Sequence, residues 1–307
     1  EIMSSDWSSD VCSSDLINPE KILSETEGLQ ALIASENPRL AWATIMQAFY
    51  PSDHPRWGAD SHFVQGRNFT CGENFNIGPF VVIEDDVTIG KRVTLYPHVY
   101  IGRGAMLGDD VTLYPSVTIR EGCKIGNRVV IHANTTIGSD GFGFVPDKEG
   151  KWRKIPQTGN VVIEDDVEIG SLNSIDRATF GHTRIRSGVK TDKQVHIGHN
   201  TEVGENSVIV AQVGISGSVT IGKNVTLAGK SGVAQHLKIG DGAIVGPGGG
   251  VGKDLPAKAV VSGRPAIPHK LWLRVQALMP KLPEFAKKLS EIEKRIAKLE
   301  KNGGTDA

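Results

Sequence analysis

The chain has 307 residues and a formal net charge of −1, with 34 Lys and Arg against 35 Asp and Glu. This balance excludes a polybasic nucleic-acid scaffold and an acidic tail as the main feature of the chain. Aromatic residues make up only 6% of the sequence and 36 residues are glycine. The core must therefore be built from small and aliphatic side chains, with frequent turns.

The cysteine spacing and the lack of long apolar runs indicate the cellular compartment in which the protein works. Cys12, Cys71 and Cys123 are widely spaced and form no CxxC pair, which supports neither a disulfide framework nor a zinc knuckle. No run of 18 apolar residues and no signal-peptide pattern is present. We expect a cytoplasmic protein without a transmembrane segment, and peripheral attachment to the inner membrane face is the alternative.

The N-terminal part divides into two segments. Residues 6–16 read DWSSDVCSSDL, which is the translation of a common sequencing adapter, so residues 1–16 are expected to be non-native. A genuine tail is the alternative. Residues 17–55 are interpreted as the remnant of an α/β domain, with an apolar run at 29–34 and a helix-like segment at 40–50. Native residues that preceded this remnant would then be missing.

A six-residue repeat dominates the middle of the chain. Ile or Leu occupies every sixth position from Ile77 to Ile137, and after an interruption the period resumes at Ile163 and slips by four residues to Ile185. This period fits neither a helix nor an alternating strand, and it predicts hexapeptide β-helix repeats with three hexads per coil. Residues 18 positions apart then stack at about 4.8 Å, with Gly, Asn and Asp in the turns. We predict an all-β solenoid over residues 56–255.

The character of the sequence changes after this repeat, and residues 256–307 are predicted to be a helical extension. A Pro-rich stretch is followed by a helix at 271–279 and a second helix after Pro283. The second helix has apolar residues at alternating spacings of four and three: Phe285, Leu289, Ile292, Ile296 and Leu299. This is a coiled-coil seam, which we expect to pack on other subunits or on the preceding helix.

The largest interruption of the repeat, residues 138–160, contains SDGFGF and KWRKIPQTG. Insertions leave a solenoid without disturbing its core, and they often carry function. Phe142 and Phe144 between glycines, followed by basic residues and a Trp, predict an external loop that covers a ligand or a neighbouring subunit. A decorative loop with its own small cluster is the alternative.

A second distinctive segment, residues 190–200, reads KTDKQVHIGHN. Because Ile197 should point inward, His199 falls at a strand end or turn where it can face a groove. The position one coil above His199 is Gly217, and His236 lies about two coils above. A histidine beside a bare backbone amide suits a general base next to an oxyanion donor. A solvated surface histidine is the alternative.

These motifs occur in a recognisable order: SDGFGF, KIPQTG, VVIEDDVEIG, SIDRATFGHT, HIGHN, VAQVGISGS and SGRPAIPH. Over roughly residues 17–300 the chain resembles the UDP-3-O-(3-hydroxyacyl)glucosamine N-acyltransferases of lipid A biosynthesis. The resemblance implies a left-handed parallel β-helix that forms a homotrimer, with active sites between subunits. It also implies transfer of a 3-hydroxyacyl group from the phosphopantetheine of acyl carrier protein to the 2-amine of a UDP-linked sugar, with no bound cofactor or metal.

The same resemblance implies roles for individual residues. His199 would be the general base, Gly217 the backbone oxyanion donor and His236 a supporting residue. The residues expected to bind substrate are Asp192, His196, Gln212, Asp140, Phe142 and Phe144. The sequence departs from the usual pattern at Lys193, His196 and Gln235. It also lacks the early F-L-x-N-P-K-Y motif that grips uracil, so we expect this chain to bind its UDP-sugar poorly.

Two further sites concern the acyl donor. The segment GPGGGVG at 246–252 has no side chains that could close an apolar groove, so Gly248, Gly250 and Gly252 are expected to leave room for a long acyl chain. A turn that prefers glycine is the alternative. The basic residues Arg264, Lys270 and Arg274 are expected to contact the acidic acyl carrier protein, and a solvated helix face is the alternative.

Three other functions remain open from the sequence. The chain could be a different hexapeptide acyltransferase that uses acyl-CoA, although SDGFGF and the long C-terminal helices argue against this. It could be a purely structural solenoid, which leaves HIGHN unexplained. It could also be a carbonic-anhydrase-like zinc β-helix, which would need three converging ligands. The candidate zinc ligands are His132, His182, His196, His199 and His236.

Overall fold

The structure is a computed structural model, and it describes residues 37–50, 54–57, 62–263 and 268–303. The predicted segment 1–16 and residues 17–36 and 51–53 of the predicted remnant 17–55 lie outside the described residues. The chain divides after Arg56 into an N-terminal unit and a second unit that holds the repeats and the C-terminal helices.

The N-terminal unit contains helix α1, Pro38–Phe49. Asn37 caps this helix, because its Oδ1 accepts the N–H of Leu40 at 3.1 Å. Pro38 occupies the first helical turn, where its missing N–H costs no hydrogen bond. The helix expected at 40–50 is therefore present and starts two residues earlier.

The repeats form a parallel β-solenoid with three long sheets. The first sheet contains Val64–Gln65, Val82–Ile83, Tyr100–Ile101, Thr118–Ile119, Thr136–Ser139, Ser174–Asp176, His196–Ile197, Gly214–Ile215, Gly232–Val233 and Gly250–Val251. The second contains Thr70–Cys71, Thr88–Ile89, Met106–Leu107, Lys124–Ile125, Asn160–Ile163, His182–Ile185, Glu202–Val203, Thr220–Ile221 and Lys238–Ile239. The third contains Asn76–Ile77, Thr94–Leu95, Thr112–Leu113, Val130–Ile131, Glu168–Ile169, Lys190–Thr191, Val208–Ile209, Thr226–Leu227, Ile244–Val245 and Val260–Val261.

The predicted aliphatic series is the core of this solenoid. The second residue of a strand and the residue two positions before it both point inward, as with Ile131 and Val129, which are fully buried. Neighbouring coils stack in the predicted register, so that Thr118 pairs with Tyr100. The fold class, a parallel β-solenoid of hexapeptide repeats, is confirmed, and the left hand of the coil stays a prediction from the resemblance.

The solenoid is longer at both ends than the regular aliphatic series indicates. Gln65 and Cys71 take strand positions before Ile77, although neither is Ile or Leu. At the other end, Val260–Val261 pairs with Ile244–Val245, so the repeat continues beyond the expected boundary at 255. Pro256 occupies the turn before this last strand, where it need donate no ladder hydrogen bond.

The turns contain a wider range of residue types than the predicted Gly, Asn and Asp. One residue in nearly every hexad has a positive φ, and Asn and Gly often fill this position, as predicted. Bulky residues occupy it too, including Phe80 with φ 60° and Leu172 with φ 61°. The stacked coils impose this backbone conformation at each corner, at a local cost of roughly 1–2 kcal/mol for a residue with a Cβ.

Two insertions leave the solenoid at the same corner, between the first and second sheets, which we call the first corner. Ile125 pairs with Ile163, a separation of 38 residues, so the ladder takes in Gly138, Ser139 and Asn160 and the insertion is shorter than the expected 138–160. A second insertion of four residues shifts the register to 22, as the pairing of Ile175 with Ile197 shows. Both insertions therefore emerge beside His199.

Two helices follow the solenoid: α2, His269–Leu278, and α3, Leu282–Gly303, joined by a 3₁₀ turn at Met279–Lys281. The five seam residues of α3 are all exposed in the single chain. Among the described residues, no helix is long and apolar enough to span a bilayer.

Candidate active site

A pocket of about 720 Å³ lies at the C-terminal half of the first sheet and its first corner. His199 stands at its edge, two residues beyond the buried Ile197, which anchors the strand in the core. The side chain of His199 is half-buried. The pocket is lined by Phe142, Asp176, His196, His199 and Gln235 together with Gly214, Gly217, Gly232, Gly250 and Gly252.

The imidazole of His199 lies between two glycines. A Cβ built on Gly217 would sit 2.6 Å from Nε2 of His199, and one built on Gly141 would sit 2.6 Å from Cβ of His199. Both distances are shorter than real Cβ contacts allow. Gly217 belongs to the next coil, as the 18-residue register predicts, whereas Gly141 comes from the first insertion.

Asn200 fixes the orientation of this imidazole. Nδ1 of His199 lies 3.1 Å from Oδ1 of Asn200. That oxygen also accepts the N–H of Thr179 at 2.9 Å, while Nδ2 of Asn200 donates to the carbonyl of Phe180 at 2.9 Å. Since Oδ1 can only accept, Nδ1 of a neutral His199 must carry the proton. Its Nε2 therefore holds a free electron pair that faces Gly217.

The N–H of Gly217 is an unused donor at this site. The amides of its neighbours, Ser216 and Ser218, donate to the carbonyls of Val233 and His199, respectively. No described atom accepts the amide of Gly217 itself. A backbone donor and a basic nitrogen thus meet in one pocket, which is the arrangement that acyl transfer through an oxyanion requires.

Asp176 is a member of the pocket that sequence reasoning did not single out. Its side chain is only 8% exposed, and Oδ2 lies 3.7 Å from Nε2 of His196. Oδ1 accepts the hydroxyl of Ser139 at 2.8 Å. Burial raises the pKa of Asp176, while the Ser139 hydrogen bond and the imidazoles of His196 and His199 act against this rise. The 22-residue register, which places Asp176 beside Gly198, was the signal that could have identified it.

The first insertion forms a hairpin of Phe144–Pro146 and Trp152–Lys154. Phe142 lines the pocket and is 85% exposed, with its ring 5.1 Å from that of Phe144, which itself does not line the pocket. Asp140 pairs with Lys154 at the base of the hairpin and also stays outside the pocket lining.

Gln157 ties the insertion to the solenoid. It is buried, its Oε1 accepts the hydroxyl of Thr179 at 2.9 Å, and its Nε2 donates to the carbonyl of Ile155 at 3.0 Å. A Cβ on Gly141 would lie 2.9 Å from Oε1 of Gln157. Gln157 thereby joins the two insertions next to His199, a role that the repeat period alone could not reveal.

Glycines form one wall of the pocket. On the first sheet, His196 pairs with Gly214, Gly214 with Gly232, and Gly232 with Gly250, in three successive coils. We call Gly214, Gly232 and Gly250 the glycine column. Of the three glycines expected to line an acyl groove, Gly250 and Gly252 line this pocket, whereas Gly248 lies in the preceding turn with φ 63°.

Other predicted site residues lie apart from His199. Asp192 and Gln212 are at the corner between the third and first sheets. There Asp192 forms an ion pair with Lys193, and Nε2 of Gln212 donates to Oε1 of Gln194 at 2.7 Å. His236 is exposed in a left-handed turn, and its N–H donates to the carbonyl of Gly217. Gln235, not His236, lines the pocket within this chain.

The structure describes two of the three basic residues expected to contact a carrier protein. Lys270 and Arg274 are exposed on α2, whose ten residues include no Asp or Glu. Arg264 lies outside the described residues.

Of the five histidines of the zinc alternative, only His196 and His199 line the same pocket. His132 lies 3.0 Å from Glu168 and stacks on Tyr114, and His182 is held by Asn160. Within residues 37–50, 54–57, 62–263 and 268–303, no cluster of three His, Cys, Asp or Glu side chains could hold a metal ion.

Comparison with known proteins supports the assignment of the fold as a β-solenoid of hexapeptide repeats. The bacterial transferase hexapeptide (six repeats) family matches residues 70–103, 104–139 and 182–217. The solved UDP-N-acetylglucosamine O-acyltransferase from Moraxella catarrhalis superposes with a TM-score of 0.53 at 24% identity, over 78% of this chain and 91% of that protein. The fold and the repeats together define a β-solenoid protein of the hexapeptide-repeat class.

Relatives with curated names identify the family within this class. The chain is 55% identical over 253 residues to UDP-3-O-acylglucosamine N-acyltransferase of Synechococcus sp. (strain WH7803), which covers 82% of this chain and 70% of that relative. The chain belongs to the UDP-3-O-acylglucosamine N-acyltransferase family. The enzymes named this way in Desulfosudis oleivorans and Parasynechococcus marenigrum are 61% and 60% identical, over 62% and 50% of this chain. In those two alignments the chain spans only 56% and 44% of the relative.

Proposed function

We propose that this chain is the catalytic part of an N-acyltransferase that moves a 3-hydroxyacyl group from acyl carrier protein to the 2-amine of UDP-3-O-(3-hydroxyacyl)glucosamine. The observation that carries the proposal is the placement of Nε2 of His199 against Gly217, with Nδ1 fixed by Asn200. Relatives at 55–61% identity bear the name of this activity, which supports the same reaction.

Nε2 of His199 and the N–H of Gly217 together account for the steps of acyl transfer. Nε2 of His199 takes a proton from the attacking amine, whose nitrogen forms a bond to the thioester carbonyl carbon. The N–H of Gly217 donates to the oxyanion that develops, a contribution that typically amounts to about 3–4 kcal/mol of transition-state stabilisation. The carbon–sulfur bond then breaks, the sulfur keeps the electron pair and receives the proton from Nε2 of His199, and phosphopantetheine leaves as a thiol.

Open space above the glycine column supports an acyl groove beside His199. No protein atom other than chain neighbours lies within 4 Å of a Cβ built on Gly214 or Gly250, so these positions leave open space above the sheet. Successive coils are about 4.8 Å apart, and an extended acyl chain can therefore run from His199 along the column. Val233 and Val251 add apolar surface to the same pocket.

A homotrimer would complete the site. Asp192 and Gln212 lie on a different corner from His199 and outside the lining of its pocket. A neighbouring chain that presents this corner to the first corner of its partner would supply both residues. The exposed apolar seam of α3, with Phe285 42% and Leu289 61% exposed, supports association through the C-terminal helices.

The charge of α2 supports acyl carrier protein as the acyl donor. Helix α2 carries Lys270 and Arg274 and no acidic residue, which suits the acidic surface of acyl carrier protein. The UDP-sugar is expected to bind through the N-terminal unit, most of which lies outside the described residues. We expect the enzyme to work in the cytoplasm or at the inner face of the membrane, without a nucleic-acid partner or a bound cofactor.

The test is an acylation assay on the purified chain, with 3-hydroxyacyl-[acyl carrier protein] and UDP-3-O-(3-hydroxyacyl)glucosamine at high concentration. Mass spectrometry should detect the N-acylated product, and His199→Ala should lower kcat at least about 100-fold. His132→Ala, which alters a histidine outside the pocket, should retain activity. Equal activity of native protein and His199→Ala would remove the proposed base, and faster turnover with acyl-CoA would favour the alternative donor.

A further inference from the structure

The carboxylate of Asp176 has one oxygen that no described residue occupies. Its Oδ1 accepts the hydroxyl of Ser139 at 2.8 Å, whereas nothing in the described part of the chain donates a hydrogen bond to Oδ2. Nε2 of His196 lies 3.7 Å from Oδ2, which is beyond hydrogen-bond distance. The side chain of Asp176 is only 8% exposed, so an oxygen of this kind predicts a hydrogen-bond donor on a bound ligand.

Oδ2 of Asp176 is accessible from the pocket. Among the described residues, the hydroxyl oxygen of Ser231 is the only side-chain polar atom that is both fully shielded from solvent and unpaired. Oδ2 of Asp176 is unpaired but not fully shielded, and Asp176 lines the pocket beside His199. A molecule bound in the pocket can therefore reach this oxygen.

The space between Asp176 and His196 fits a hydroxyl group. A hydroxyl both donates and accepts a hydrogen bond, whereas a carboxylate only accepts. Because 3.7 Å separates Oδ2 from Nε2, an oxygen can lie about 2.8 Å from each of them. It would donate to Oδ2 and accept from a neutral imidazole that carries its proton on Nε2. The bridge requires no change in the protonation of either side chain.

The position of Asp176 in the solenoid identifies the acceptor as the source of this hydroxyl. Ile175 pairs with Ile197, so Asp176 lies in the coil before His199. The glycine column, which is proposed to hold the acyl chain, lies in the coils after His199. Helix α2, the proposed site for the carrier protein, also follows the last coil. The donor thus occupies the side after His199, and the side that holds Asp176 remains for the acceptor sugar.

Phe142 adds an apolar surface to the same pocket. Its side chain is 85% exposed and lines the pocket. Gly141, its neighbour in the chain, lies against Cβ of His199. A sugar ring has C–H groups on its faces and hydroxyls at its edge. A pocket with one exposed aromatic ring and one carboxylate oxygen suits such a ligand.

We propose that Asp176 and His196 bind a free hydroxyl of the acceptor's glucosamine ring, with Oδ2 accepting from it and Nε2 donating to it. The inference rests on the proposed acyl transfer. In that acceptor C1 carries UDP, C2 the reacting amine and C3 the acyl ester, so the free ring hydroxyls are those on C4 and C6. A hydrogen bond to either hydroxyl holds the ring in place while the 2-amine faces Nε2 of His199.

Deoxy acceptors test this assignment. Acceptors that lack the hydroxyl on C4 or on C6 are compared with the complete acceptor, all with the same acyl carrier protein donor. Native protein should lose at least about 30-fold in kcat/KM with one of the two, because the buried carboxylate is then left without its donor. In Asp176→Ala the same ratio should fall to about 3-fold or less. Each ratio is taken within one variant, so a general loss of activity cancels.

A second variant and a control support this comparison. His196 is 51% exposed, so His196→Ala leaves no buried cavity, and its ratio should fall to about 3–10-fold. Asp85 also lies at the first corner and accepts the backbone N–H of Arg67 at 2.8 Å, but it is outside the pocket. Asp85→Ala should therefore keep the native ratio. Circular dichroism checks the fold, and calorimetric Kd values for the three acceptors replace kcat/KM if a variant turns over too slowly.

Two results would show that the sugar hydroxyl is not bound here. One is equal use of all three acceptors by native protein, and the other is a native ratio in both Asp176→Ala and His196→Ala. If Asp176→Ala instead loses a preference for 3-hydroxyacyl over unsubstituted acyl donors, with an unchanged deoxy ratio, the carboxylate binds the donor and the inference is wrong. If native protein forms no N-acylated product from the complete acceptor, the proposed function itself fails, which differs from product formation without discrimination.

Discussion

Gly217 and His199 approach each other so closely that a single methyl group would not fit between them. A Cβ on Gly217 would lie 2.6 Å from Nε2, 2.8 Å from Cε1 and 3.0 Å from Cδ2 of the imidazole. Gly217 is absent from the residues with positive φ, so its backbone conformation is open to any residue type. Glycine is required here for space and for access to its amide.

The first prediction concerns Gly217→Ala. The backbone conformation should tolerate alanine, but the new methyl group must displace the imidazole and obstruct the oxyanion position. We expect kcat to fall roughly 100–1000-fold with a nearly unchanged melting temperature. Gly229→Ala is the control, because its Cβ would meet only Ala211 O at 3.5 Å and Val210 Cγ1 at 3.8 Å. Comparable activity of the two variants would contradict the assigned role.

The second prediction concerns the orientation of His199. Asn200→Gly keeps the left-handed backbone, where Asn200 has φ 58°, but removes the acceptor of Nδ1. Without it the imidazole can rotate or adopt the wrong tautomer, and kcat should fall at least about tenfold. Loss of the bonds to Thr179 and Phe180 should also lower the unfolding free energy by about 1–2 kcal/mol.

Asn224→Gly is the matched control for this change, since Asn224 has φ 53° in an equivalent turn and lines no described pocket with His199. It should retain kcat. A loss of stability in Asn200→Gly without a loss of kcat would show that Asn200 supports the turn but does not orient the base.

The third prediction concerns acyl chain length. Gly250→Met should place a side chain across the far end of the glycine column, where a Cβ meets open space. Long acyl donors should lose kcat/KM relative to short ones, by about 0.8 kcal/mol for each CH₂ that can no longer be buried. Thr118→Met, in the same row of the first sheet but outside the pocket, should leave the preference unchanged. An unaltered chain-length profile in Gly250→Met would exclude the column as the acyl groove.

The repeat period was enough to predict the architecture and one contact of the site. Inward positions recur strictly, so counting along the chain placed Gly217 one coil above His199. The same counting could not show where an insertion goes after it leaves the coil. Gly141 and Gln157 therefore reach His199 by a path that depends on the hairpin and on a buried hydrogen bond to Thr179. Tertiary contacts of this kind leave no period in the sequence.

Asp176 and Asp192 also show that the sequence alone did not identify which residues share the pocket. One was missed and the other was expected there but lies elsewhere. Asp176 follows an inward Ile on the first sheet, and the shifted register brings it into the pocket although its residue type gave no signal. Asp192 was expected at the site through resemblance, yet it follows a strand of the third sheet and lies at another corner. The position of a residue within the coil, and not its proximity in sequence to His199, decides which residues share a pocket in one chain.

The fourth prediction concerns the cost of a buried carboxyl and its dependence on pH. Burial raises the pKa of Asp176 above the ordinary value of 3.8, so the folded protein holds this proton more tightly than the unfolded chain does. The carboxyl therefore lowers stability as pH rises from about 4 through its folded pKa. Asp176→Asn should melt higher than native protein at pH 8, and the difference should shrink toward pH 4. Each kcal/mol moves the melting temperature of a chain of this size by about 2–4 °C.

Asp85→Asn supplies a control of opposite sign. Hydrogen bonds from the side chain and backbone of Arg67 hold the pKa of Asp85 below its usual value, so ionised Asp85 stabilises the fold above that value and loses this effect in acid. Asp85→Asn should therefore melt lower than native protein at pH 8 and approach it as pH falls. Thermal unfolding of both variants between about pH 2 and pH 8 gives the two slopes, and that of Asp85→Asn lies below about pH 4. If Asp176→Asn followed the slope of Asp85→Asn, ion pairing with His196 would outweigh burial, and the carboxylate would stabilise the pocket that it serves.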